Sequence, residues 1–172
     1  MKAYNAVITK ENIFNYFTQS GLTMEAFANI LGVSKRWLEY VFSQKEDYEF
    51  APSTIQKACD FFIADFGKFT TELLEVPINL REHLKKKHAK NTEYSKVLHD
   101  PPSLPFIINN ELIYESEFGT AAALEVKEIK KIILRCYPKI ELTNLSKSLQ
   151  KSPLIECKPH PTKKNTNVYK KK

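Results

Sequence analysis

The chain has 172 residues, 42% of them hydrophobic and 27% charged, with four glycines and nine prolines. That composition fits one or two ordinary folded domains and excludes collagen-like, low-complexity and disordered classes. Net charge is +6, unevenly placed: residues 1–75 carry seven basic against ten acidic side chains, net −3, and residues 76–172 carry 19 against 10, net +9.

Four helices are expected in the first 67 residues. Glu11 to Ser20 repeats Ile13, Phe14 and Phe17 at helical spacing before Gly21. Thr23 caps Met24 to Leu31, which Gly32 ends, and Ser34 caps a third helix running to about Ser43. After the acidic loop Gln44 to Pro52, Ser53 caps a fourth helix with an apolar face of Ile55, Ala58, Cys59, Phe62, Ile63 and Phe66. Gly67 closes this domain, and residues 68–79, with Pro77, read as a connecting arm.

Residues 80–172 read as a basic α+β region. Leu80 to Leu98 is expected to be helical, and Pro101, Pro102 and Pro105 impose a loop. Phe106 to Ile108 and Glu111 to Tyr114 read as a short hairpin turning at Asn109-Asn110. Thr120 to Tyr137 is a helix ended by Pro138, and Thr143 caps another through Gln150. Two short strands, Leu154 to Lys158 and Asn167 to Tyr169, flank a loop holding Lys163 and Lys164, and a Lys-rich tail follows. The helices and closing hairpin resemble part of a winged helix, with Lys163 and Lys164 on the wing, but Lys151 to Pro153 leaves no room for the third helix a winged helix places between Gln150 and the strands.

In Thr23 to Ser43 a small residue, Ala28, stands where two helices would cross closely, and Gly32 stands where the turn needs positive φ. Phe27, Leu31, Val33, Leu38 and Val41 are spaced as apolar anchors. With a helix before and a helix after, residues 11–67 resemble the Cro/repressor (Xre-like) family of DNA-binding domains. The resemblance implies that helix 34–43 lies in the major groove and that the preceding helix crosses the phosphate backbone. It places Ser34, Lys35, Arg36, Tyr40 and Ser43 on DNA, with Gln44 beside them and Thr23 at a phosphate. Arg36 suits the O6 and N7 edge of guanine, and Lys35 suits phosphate or guanine. Glu39 on the same helix and the acidic loop oppose phosphate, so much of the affinity is expected from the basic region, with Lys163 and Lys164 as phosphate contacts.

Chemistry beyond binding has little to rest on. The four histidines lack metal-ligand spacings and read as surface residues, the glycines are isolated, and Cys59, Cys136 and Cys157 read as free thiols, Cys59 as core. No catalytic residue, metal or cofactor is expected. Without a membrane span or secretory leader in the sequence, a cytoplasmic location with no membrane partner is expected.

The expectation is thus a mainly α protein, a four- to five-helix bundle followed by a small α+β region with a short hairpin. Its expected function is a DNA-binding transcriptional repressor acting on double-stranded DNA as a homodimer, with the C-terminal region open to a protein partner. The alternatives are a helix-turn-helix interaction module or adaptor without DNA readout, and a small nuclease or toxin within residues 80–172.

Overall fold

A computed structural model describes residues 4–43, 47–119 and 122–172. The chain is mainly helical with a small three-stranded antiparallel sheet, and it divides into two compact units, one through Asp100 and the other Pro101–Lys172. None of the described helices is long and apolar enough to cross a membrane.

The N-terminal unit begins with α1 (Ala6–Ser20), capped by the Asn5 side chain and ended by Gly21 at φ 70°. The sequence reading starts this helix five residues later. Next come α2 (Met24–Leu31) and α3 (Lys35–Phe42), whose caps Thr23 and Ser34 accept from Ala26 N and Trp37 N. Gly32 leaves α2 at φ 72°, with Gly32 N donating to Asn29 O and Val33 N to Ala28 O. This is a Schellman ending, and it aims the chain straight into α3. Lys57 reinforces the turn by donating from Nζ to Leu31 O at 3.3 Å.

The fourth helix differs from the sequence reading. Helix α4 (Pro52–Phe62) starts on Pro52 rather than on a Ser53 cap, and Ile63 breaks it at φ 57°, exposed rather than on the apolar face. Phe66 therefore opens a separate helix, α5 (Phe66–Thr71), which runs through Gly67. Residues 72–79 do not behave as a loose arm, because Asn12 on α1 is fully buried and binds them. Its side chain donates to Phe69 O and Glu72 O at 2.9 and 2.7 Å and accepts from Leu74 N at 2.9 Å.

Residues 80–100 also belong to this unit, contrary to the expected boundary. Leu80 to Leu98 forms two helices, α6 (Leu80–Lys87) and α7 (Thr92–His99), and Leu80, Leu84 and Leu98 enter the N-terminal core. Arg81 is buried and bridges two carbonyls, Ser20 O at 2.9 Å and Asp100 O at 2.7 Å. A guanidinium satisfied this way ties the end of α1 to the end of α7. In sequence it reads as one more cation of a basic helix.

In the C-terminal unit the expected hairpin at 106–114 is a helix, α8 (Leu104–Asn110), followed by a single 3-10 turn at Leu112–Tyr114. Ser103 caps α8 through Phe106 N, with proline in its first turn, and Ile107, Ile108, Leu112 and Ile113 are all buried. Burying this set together favours helical spacing over a two-sided strand. Strand β1 (Leu124–Glu125) leads directly into α9 (Val126–Cys136), so the helix expected from Thr120 starts later. The next helix, α10 (Leu145–Lys151), starts after Asn144, not on a Thr143 cap.

Strands β2 (Ile155–Pro159) and β3 (Asn167–Lys171) pair antiparallel, Cys157 opposite Tyr169, and β1 joins the other edge of β3, giving the order β1-β3-β2. The Lys-rich tail is accordingly no free arm: β3 is the central strand and Tyr169 is fully buried. No helix stands between α10 and β2, and α8 opens the unit instead. Ile107, Ile108, Ile129, Ile132, Ile133, Leu145 and Leu149 form the core with Phe118 and Tyr169.

Candidate nucleic-acid interface

On α2 and α3 the apolar and polar residues separate cleanly. Phe27, Ala28, Leu31, Leu38 and Val41 are at most 1% exposed, and Val33 is half-buried. Facing away from that core, Thr23, Ser34, Lys35, Arg36, Tyr40 and Ser43 are all exposed. The residues predicted for α3 therefore share one face, while Gln44 lies outside the described residues.

Several of these groups are already engaged. The Thr23 and Ser34 hydroxyls serve as helix caps, and Ser43 Oγ donates to Tyr40 O at 2.8 Å. Arg36 Nε donates to Tyr40 Oη at 3.0 Å, and its guanidinium lies 5.5 Å from that ring's centroid. Stacking of this kind limits the side chain's freedom while its two terminal nitrogens remain able to form a two-pronged contact. Lys35 sits 3.9 Å from Glu39, both half exposed, a weak pairing that a phosphate can displace. Trp37 turns inward, half-buried with its ring edge-on to Phe50 at 5.5 Å.

The two basic loop residues of the C-terminal unit have different surroundings. Lys163 binds the Glu125 carboxylate at the start of α9, where Lys127 approaches at 3.5 Å and His160 Nε2 at 3.5 Å. The main-chain N–H groups of Thr162 and Lys163 donate to His160 Nδ1 at 3.1 Å each, leaving Nε2 to carry the proton toward Glu125. Bonding to Lys163 holds the Glu125 carboxyl below its ordinary range. Lys164 is exposed and has no ion-pair partner among the described residues. The sequence places Lys163 and Lys164 together, but only Lys164 presents an uncommitted charge.

Two residues expected at the surface are not there. His88 is half-buried, stacked on Phe61 with Nε2 2.6 Å from Phe61 O, and His160 is the loop residue just described. Cys59 is buried, and burial pushes its thiol up to about 12, whereas Cys136 and Cys157 are exposed. No group of three potential metal ligands occurs among the described residues.

Sequence reasoning missed Glu125, whose partner is 38 positions away, and it missed the outer side of α10. With Leu145 and Leu149 inward, Lys147, Gln150 and Lys151 are exposed. The four-residue leucine spacing was the signal available for finding them. A scan against protein-family models returns no match, and comparison with curated proteins and with solved structures returns none.

Proposed function

We propose that the chain is a sequence-specific DNA-binding regulator of transcription, a repressor, in which α2 and α3 act as a helix-turn-helix and α3 enters the major groove. One observation carries this reading. The Schellman turn at Gly32 and the anchors, four buried and Val33 half-buried, fix α3 against α2, and the opposite face of α3 offers Lys35, Arg36, Tyr40 and Ser43 together. Arg36, held by Tyr40, is the guanine-reading side chain, Lys35 exchanges Glu39 for phosphate, and Lys164 adds a phosphate contact. A two-fold dimer sets two copies of α3 about 34 Å apart, one helical turn of duplex.

Arg36→Ala tests the reading in selection of bound sequences from a random duplex pool. Loss of sequence preference at unchanged thermal stability is expected, and an unchanged footprint refutes the groove assignment. A second reading, the adaptor without DNA readout, is favoured by one feature. An open groove of about 760 Å³ runs along α1, lined by Val7, Phe14, Phe42 and Tyr48, with Val7 73% exposed. That reading is preferred if the chain retains no duplex even at low salt.

A further inference from the structure

We propose that α10 carries a second duplex-DNA site, so that one chain reads two separate segments of sequence. The first ground is charge. The N-terminal unit holds 13 basic and 13 acidic residues, while Pro101–Lys172 holds 13 against seven, so the entire surplus of +6 lies in the C-terminal unit.

The second ground is where that surplus is left uncompensated. Glu117, Glu125 and Glu156 hold Arg135, Lys127, Lys163, Lys158 and Lys170. Lys130, Lys131, Lys139, Lys147, Lys151 and Lys164 have no carboxylate within ion-pair distance among the described residues, and all six are exposed. Between Glu141 and Glu156 the sequence contains no acidic residue, and α10 lies in that stretch. By contrast, α3 carries Glu39 among its exposed residues.

The third ground is rigidity. Leu145 and Leu149 are buried in the core, and Ser146 Oγ meets the hydroxyl of fully buried Tyr169 at 2.7 Å. Helix α10 is thereby fastened to the central strand and presents Lys147, Gln150 and Lys151 outward. The Gln150 amide reaches Tyr169 Oη only at 3.5 Å, a marginal contact that an adenine edge outcompetes. A helix with its side chains is about 10–12 Å across and the major groove about 12 Å wide. Gln150 can then pair with adenine N6 and N7 while Lys147 and Lys151 take guanine or phosphate. A duplex fits this surface better than an acidic protein does, because the pattern is two cations flanking a planar amide with no apolar anchor between them.

The test uses the full chain. Selection from a random duplex pool is expected to return a bipartite motif. Replacing Lys147, Gln150 and Lys151 by Ala should erase one part, with binding weakened about tenfold or more, while Arg36→Ala erases the other. A milder pair, Lys147→Gln with Lys151→Gln, guards against misfolding and should lower the slope of log affinity against log salt by about 2. The proposal falls if both variants keep the whole motif and the salt slope, or if the wild-type chain selects no duplex. If the α10 changes erase all preference and Arg36→Ala none, α10 reads DNA and the assignment of α3 fails instead.

Discussion

The N-terminal unit buries aromatic rings, whereas the C-terminal unit buries isoleucines and leucines beneath a three-stranded sheet. Around Phe27 the rings of Phe17 and Phe62 lie at 5.0 and 5.5 Å, and Tyr16 contacts Phe62 and Phe69 at 5.3 Å each. Flat rings in such a cluster fix one another's orientation. The C-terminal core has few rings, and the Tyr169 hydroxyl joins its central strand to α10 through Ser146. The charge contrast follows the same division, neutral in one unit and +6 in the other. The aromatic packing and the surplus of positive charge are therefore carried by different parts of one chain.

The contrast can be broken most forcefully at Phe27. Phe27→Ala removes a fully buried ring from the aromatic cluster and should destabilise the N-terminal unit by about 3–5 kcal/mol. Amide hydrogen exchange resolved by segment checks this, since protection should collapse in α1 to α5. A loss below about 1 kcal/mol means the cluster is not what holds the unit.

Tyr169→Phe makes the matching cut in the C-terminal unit. It keeps the ring and deletes the hydroxyl that Ser146 and Gln150 reach, at an expected cost of about 1 kcal/mol in urea unfolding. An effect as large as that of Phe27→Ala would erase the proposed difference between the cores.

The smallest effect is expected at Glu125→Gln, which weakens the attachment of the loop between β2 and β3. Because Lys163 lowers the folded-state value, the stabilisation is present above the ordinary carboxylate range and disappears as pH falls through the lowered value. Exchange of the 160–166 amides should rise a few-fold in the variant near neutral pH and converge with wild type in acid. A wild-type loop whose exchange shows no such acid loosening contradicts the attachment.

Much of this was legible where the chain announces its own local structure. Thr23, Gly32 and Ser34 each have one steric or hydrogen-bonding purpose, and the helices they bound lie as expected. Residues 104–114 misled because Phe, Ile and Asn-Asn match hairpin chemistry as well as a short helix. Ser103 followed by Pro105 was the overlooked cap and first turn. Sequence assigns Arg81 no role and makes Lys163 a phosphate contact, because their partners, Ser20 O and Glu125, lie 61 and 38 positions away. Position along the chain cannot reveal such partners, nor that the Lys-rich end is the middle strand of a sheet.

The inward turn of Trp37 has a practical side. It is the chain's only tryptophan, and it sits on α3 with its edge against Phe50, on a helix whose outer face holds Lys35 and Arg36. The protein thus carries a built-in fluorophore on α3. Its emission senses how α3 packs without any label to perturb the charged face, and duplex titrations can be followed on the unmodified chain.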